Sequence, residues 1–193
     1  MASVTIALDY DAGVADVPTE LRLVDRPGTE ATIHVDASPE AVWALVSDVT
    51  MPVRFSDELH EVRWLDGAER PAVAARFVGR NRHAAIGEWE TTCTITRCDP
   101  PREFAWAVED PDDPVADWGF SLTPDDGGTR LTQWVRFGTA RSGLSPAIEA
   151  MPDKESKILH GRLGQLRANM ERNLAGIAGE LGAQDASATD QPS

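Results

Sequence analysis

The stretch from Ala31 to Asp48 constrains the fold more than any other part of this sequence. Polar and apolar residues alternate up to Ala37, which is typical of a strand with one buried face. Ser38 then has the character of a helix N-cap, and Pro39 occupies the first helical position. An apolar stripe follows at helical spacing: Val42, Trp43, Leu45 and Val46. The sequence therefore predicts a strand that leads directly into a short helix.

A long amphipathic helix is predicted near the end of the chain. Its apolar residues repeat at intervals of three and four, which places them on one face: Leu159, Leu163, Leu166, Met170, Leu174, Ile177 and Leu181. A helix from Asp153 to Leu181 would be roughly 43 Å long at 1.5 Å per residue. We expect Pro152 to kink this helix or to separate it from a turn at Pro146–Ala150.

Between these two helices the sequence alternates in the manner of several short strands. A helical turn is expected at Met51–Phe55, and a turn at Gly79–Asn81 should end the third strand. The predicted strands are His60–Leu65, Ala72–Val78, Gly87–Arg97, Glu103–Val108, a strand containing Trp118, Phe120 and Leu122, and Leu131–Phe137. This order of elements favours a curved antiparallel sheet around one long helix, with room for a ligand between them.

The chain length of 193 residues fits one domain with a substantial core. We expect residues 1–28 to form an N-terminal extension that can add an edge strand, residues 29–182 to form the domain, and residues 183–193 to be a disordered tail. Cys93 and Cys98 lie five residues apart on one predicted strand, hence on opposite faces. We therefore expect both cysteines to be free thiols with no metal role.

The net charge and the hydropathy of the sequence argue against several classes of binding partner. The formal net charge of −14, from 32 acidic and 18 basic residues, argues against nucleic acid or an anionic membrane surface. No apolar run approaches the ~20 residues of a membrane-spanning helix, and the first residues lack a signal-peptide pattern. A cytoplasmic protein is therefore expected. The sequence leaves its oligomeric state open.

Four stretches resemble a known family. They are ASPEAVWALVSDV at 37–49, ARFVGRN at 75–81, WETTCTIT at 89–96 followed by FAW at 104–106, and SGLSPAIEAMPDKE at 142–155. Over about residues 30–181 the chain resembles the START/Bet v 1-like (SRPBCC) superfamily, and within it the polyketide cyclase/dehydrase branch. The resemblance implies an α+β helix-grip fold. That fold has a seven-stranded antiparallel sheet, two short helices after the first strand, and a long C-terminal helix that closes an apolar cavity.

The inward faces of the predicted strands supply candidate ligand-binding residues. They are Phe77, Trp89, Thr91, Cys93, Phe104, Trp106, Trp118, Phe120, Gln133, Val135 and Phe137, with Asn81 added at one mouth of the cavity. Their rings could clasp an aromatic or polyene ligand. The alternative is an ordinary, well-filled core made by the same side chains.

Four polar residues are candidates for catalysis: Thr91, Gln133, Arg80 and His83. Gln133 lies among apolar residues, so it either orients a ligand carbonyl or bonds to Thr91 or a neighbouring strand. Arg80 and His83 are expected in a loop, where solvation alone could explain them, and His83 could act as an acid or base near neutral pH. Cyclases of the family are thought to use Arg, Tyr and Ser or Thr, but the only tyrosine, Tyr10, lies in the N-terminal extension.

Three functions remain open from the sequence. The first, implied by the resemblance, is a cofactor-free protein that binds a hydrophobic or aromatic small molecule in the cavity. The second is a polyketide cyclase or dehydratase that acts by positioning and general acid/base catalysis. The third is a stress- or partner-regulating module without a ligand, for which an exposed apolar patch would be the sign. The sequence contains no HExxH, GxSxG or P-loop motif, and we expect no metal site.

Overall fold

The computed structural model describes residues 20–84 and 87–189, with side chains to residue 183. Its strands are β1 (Gly28–Val35), β2 (Leu59–Trp64), β3 (Arg76–His83), β4 (Gly87–Asp99), β5 (Glu103–Glu109), β6 (Pro114–Asp125) and β7 (Gly128–Phe137). Its α-helices are α1 (Pro39–Val46), α2 (Ser145–Ala150) and α3 (Glu155–Thr189). Single 3-10 turns cover Leu23–Asp25, Met51–Arg54 and Pro152–Lys154.

These strands form one antiparallel sheet of seven, in the order β1-β7-β6-β5-β4-β3-β2. The helix α3 lies across its concave face and packs most closely on β1. This arrangement confirms the predicted α+β helix-grip fold, with α1 and a 3-10 turn as the two short helices after the first strand. No helix within residues 20–84 and 87–189 combines the length and the apolarity needed to cross a bilayer.

The predicted start of α1 is confirmed in detail. The Ser38 hydroxyl accepts a hydrogen bond from the Ala41 amide at 3.3 Å, as an N-cap should, and Pro39 opens the helix. Val42 and Val46, from the predicted stripe, are fully buried. The helix therefore packs its apolar face on β6 and α3.

The apolar stripe of α3 is also confirmed, because all seven of its residues are buried in the core. Pro152 lies in a 3-10 turn between α2 and α3, so the predicted interruption of the helix occurs there. The helix continues to Thr189 and thus into the segment expected to be a disordered tail. Alanine and glutamine are strong helix formers, which accounts for this extension. Residues 190–193 lie outside the described residues.

The third strand differs from the prediction. It spans Arg76–His83, and Gly79, expected to begin a turn, lies within it opposite Thr91 of β4. A Cβ atom at Gly79 would come within 2.9 Å of Leu59 Cδ1 on β2. The glycine therefore makes room for a neighbouring side chain in the sheet instead of bending the chain.

The two cysteines are free, but the reason given above for their separation was wrong. A bulge between Ile95 and Arg97 shifts the register, so Cys93 pairs with Val108 and Cys98 with Phe104 on the same face of β5. Both thiols therefore face the concave side and are kept apart only by their distance along the strand.

The N-terminal extension contacts α3 where it is described. The Leu21 amide donates to Ser156 Oγ (3.0 Å), and the Leu23 amide donates to Glu155 Oε1 (2.7 Å). The side chains of both leucines pack against the core. Residues 1–19, the rest of the 1–28 extension that was expected to be able to add an edge strand, lie outside the described residues.

Candidate functional site

A cavity of about 610 Å³ lies between the concave face of the sheet and α3. Its wall comes from β2 to β7, from α3, and from the segments 48–59 and 141–144. Ligand sites in proteins usually measure about 300–1,000 Å³ and are mainly apolar. The space is therefore large enough for a small organic molecule.

Most of the residues predicted to face a ligand line this cavity. They are Phe77, Asn81, Trp89, Thr91, Cys93, Phe104, Trp106, Trp118, Phe120, Gln133 and Phe137. Val135 does not, although it is buried in the core. It lies on β7 opposite Thr29 of β1.

The aromatic wall is organised around Trp106. Its ring lies 5.7 Å from Phe104, 6.1 Å from Phe77 and 6.1 Å from Phe120, measured between ring centroids. The Trp118 ring is almost parallel to it, at an interplanar angle of 5° and 6.5 Å. Edge-to-face and offset contacts of this kind hold aromatic rings in place. The wall therefore offers flat, preformed apolar surface.

Arg80 and His83 do not line the cavity, contrary to their predicted place in a loop at its mouth. Both belong to β3, opposite Glu90 and Gly87 of β4. The Arg80 guanidinium is turned to solvent and donates from Nε to Glu90 Oε1 at 2.8 Å. Thr91 does line the cavity, and its hydroxyl accepts a hydrogen bond from Asn81 Nδ2 at 3.3 Å.

A buried amide pair was missed by the sequence reasoning. Asn173 of α3 is 6% exposed and donates from Nδ2 to Oε1 of Gln133, which is 3% exposed, at 3.5 Å. Asn173 Oδ1 is the only buried side-chain nitrogen or oxygen in the described part of the chain that has no hydrogen-bond partner. Since Asn173 lies between Met170 and Ile177, a polar residue on the apolar face of the helix was the available signal.

A mostly buried ion pair was missed as well. Arg162 of α3 donates to both carboxylate oxygens of Glu58, at 2.7 and 2.8 Å, and both side chains line the cavity. Burial raises the pKa of Glu58, but the hydrogen bonds and charge of Arg162 outweigh it, so that pKa lies below its ordinary value. The two residues are 104 positions apart, and no local pattern links them.

The cavity thiol is poorly suited to nucleophilic chemistry. Burial raises the pKa of Cys93 to about 12, although a hydrogen bond with Thr91 opposes the shift. The reactive form of cysteine is the thiolate, so Cys93 stays a protonated, apolar part of the wall. Within the described ranges, no group of three or more His, Cys, Asp or Glu side chains is arranged to hold a metal ion.

A model of a known protein family matches the part of the chain that forms this fold. The model described as polyketide cyclase / dehydrase and lipid transport matches residues 26–171, which include all seven strands, α1, α2 and about the first half of α3. No curated protein matches the sequence.

Solved structures show the same architecture. The solution structure of the Polyketide_cyc-like protein Cgl2372 from Corynebacterium glutamicum is 28% identical, with a TM-score of 0.57 over 86% of this chain and 97% of that one. Protein Ms6760 from Mycobacterium smegmatis is 19% identical (TM-score 0.53, 83% and 94% covered). The di-domain ARO/CYC StfQ from the steffimycin biosynthetic pathway is 13% identical (TM-score 0.60, 83% and 52% covered). The last two show likeness of fold alone.

Proposed function

Because the chain belongs to the polyketide cyclase/dehydrase and lipid transport family, we propose that it binds a hydrophobic or aromatic small molecule between the sheet and α3. The observation that carries the proposal is the cavity of about 610 Å³ with its wall of aromatic rings. An ordinary core is packed at crystal-like density and leaves few voids larger than a water molecule. A space of this size therefore favours a binding site over a filled core.

Binding can be followed by the protein's own fluorescence. Three of its six tryptophans, Trp89, Trp106 and Trp118, line the cavity. We expect titration with the neutral fluorophore N-phenyl-1-naphthylamine to quench tryptophan emission by energy transfer, to saturate at one molecule per chain, and to be reversed by apolar competitors. Saturable quenching that no apolar competitor reverses would contradict an internal site.

A pair of neighbouring variants provides the control for location. Thr91 lines the cavity, whereas Thr92 lies on the opposite face of β4. Thr91→Phe should weaken binding by partly filling the space, Thr92→Phe should leave it unchanged, and Thr91→Val should separate loss of the hydroxyl from loss of volume. Equal weakening by both phenylalanines would place the probe elsewhere.

A second candidate function is a polyketide cyclase or dehydratase. It is favoured by the polar groups set among the aromatic rings, since Thr91, Gln133 and Asn173 all line the cavity. Amide and hydroxyl groups could hold the carbonyls of a poly-β-keto chain in the geometry for an intramolecular aldol step, and such positioning alone accelerates a reaction greatly. A reactive poly-β-keto thioester should then give a different product distribution with the protein than without it. An unchanged distribution would exclude this candidate.

The third candidate, a partner-regulating module without a ligand, has less support. Val24, Val73 and Met151 are the exposed large apolar side chains of the described surface. Three such residues are ordinary for a protein surface, and isolated ones need no explanation.

A further inference from the structure

We propose that the ligand is a neutral apolar molecule with a hydroxyl group, and that this hydroxyl donates a hydrogen bond to Asn173 Oδ1. The inference rests on the proposed function, because it assigns the ligand class of the same cavity. Its starting point is the buried acceptor that has no partner in the protein. Buried polar groups in folded proteins are almost always hydrogen-bonded, so an unpaired one in a cavity wall indicates a missing donor.

The direction of the Asn173 amide follows from its neighbour. Its Nδ2 group donates to Gln133 Oε1 at 3.5 Å, which leaves Oδ1 as the atom without a partner in a residue that lines the cavity. An oxygen there accepts and cannot donate. The structure thus favours a ligand with an O–H at this position over one with a carbonyl or an ether.

Asn173 is the last residue of α3 that lines the cavity. The cavity-lining residues of α3 run from Arg162 to Asn173, about 16 Å along the helix axis at 1.5 Å per residue. Beyond Asn173, the buried residues Leu174, Ile177 and Leu181 fill the space between helix and sheet. The proposed hydroxyl is therefore at the end of the ligand that lies beside Asn173, with the apolar body along the aromatic wall.

The charges of the wall favour a neutral ligand. Both arginines that line the cavity are already engaged, Arg162 by Glu58 and Arg141 by Glu149. A carboxylate or phosphate on the ligand would have to displace one of these pairs, in a chain whose net charge is −14. An alcohol or phenol meets the hydrogen-bonding need of Asn173 without adding charge.

A series of four pyrenes separates these requirements: 1-hydroxypyrene, pyrene, 1-methoxypyrene and 1-pyrenecarboxylate. Binding to the full chain would be followed by tryptophan quenching at slightly acidic pH, where the phenol is neutral. We expect 1-hydroxypyrene to bind about tenfold more tightly than pyrene and 1-methoxypyrene, the gain of one buried hydrogen bond. The carboxylate should bind most weakly. A wild-type protein that binds 1-methoxypyrene as tightly as 1-hydroxypyrene overturns the inference.

Two variants on the same helix test the assigned residue. Asn173→Leu should abolish the preference for 1-hydroxypyrene over pyrene, whatever the affinity of the variant for pyrene itself. Asn169→Leu should preserve that preference, since Asn169 also lines the cavity but its Oδ1 already accepts from Arg172. A phenol preference that survives in Asn173→Leu overturns the inference and leaves the proposed function standing. If the wild-type protein binds none of the four compounds, both the inference and the proposed function fail.

Discussion

The pair between Glu58 and Arg162 should stabilise the protein through a direct link between α3 and the segment before β2. Both side chains are mostly buried, at 13% and 15% exposure, and two hydrogen bonds join them. Removing one member of a fully buried pair costs about 3–5 kcal/mol, because the other charge is left without a partner. With the remaining exposure, we expect Arg162→Met alone to lower the free energy of unfolding by about 2–3 kcal/mol.

A double-mutant cycle measures the interaction itself. Urea denaturation of the wild type, Glu58→Leu, Arg162→Met and the double variant should give a coupling of about 2 kcal/mol, with the double variant more stable than either single one. The pair of Arg97 and Glu103 is the control, since its N–O distance is also 2.7 Å but Arg97 is 59% exposed. Its coupling should stay below about 1 kcal/mol.

The same pair gives a pH dependence with a definite sign. Arg162 holds the pKa of Glu58 below that of an unfolded glutamate, which is about 4.3. Below that pH the unfolded chain binds more protons at this position than the folded one, so stability falls as the pH falls through the folded pKa. The double variant should lack this part of the acid destabilisation. A coupling equal to that of the control pair, or an acid profile unchanged in the double variant, would refute the reasoning.

Two further predictions concern packing and thiol access. Gly176→Ala should destabilise the protein despite alanine's helix propensity, because its Cβ would clash with the Phe55 ring. Gly164→Ala, whose Cβ would meet nothing within 4 Å, should stabilise the protein by about 1 kcal/mol. Thermal melts of the two variants decide this, and stabilisation by both would contradict the packing. Iodoacetamide should label Cys98, which is partly exposed, well before Cys93, whose burial raises its pKa to about 12. Mass spectrometry of peptides during labelling checks the order, and equal rates for both thiols would show that the cavity is open to reagent.

Local patterns were sufficient wherever neighbouring residues decide the structure. The start of α1 follows from Ser38 and Pro39 alone, and the stripe of α3 follows from its spacing. The inward face of β4 could be predicted from strict alternation up to Ile95, where the bulge begins.

The errors and omissions arise from contacts between distant residues. Gly79 has the local character of a turn residue, yet the side chain of Leu59 on another strand explains it. Glu58 and Arg162 have no relation in the sequence and meet only when α3 packs over the sheet. Asn173 was visible as a polar residue on an apolar face, but only the structure shows that its oxygen has no donor.

The order of the strands bears on how this protein can fold during synthesis. The first strand, β1, has β7 as its sheet neighbour, with Gly28 opposite Arg136. More than half of the chain must therefore be synthesised before β1 can pair. The strands β2 to β7 form a meander, and each can pair as soon as the next one leaves the ribosome. Distant pairings of this kind slow folding, because the entropy cost of closing a long loop comes before any stabilising contact forms. Until α3 follows, the aromatic wall has no cover, and a nascent chain paused at this stage should be a ready target for chaperones.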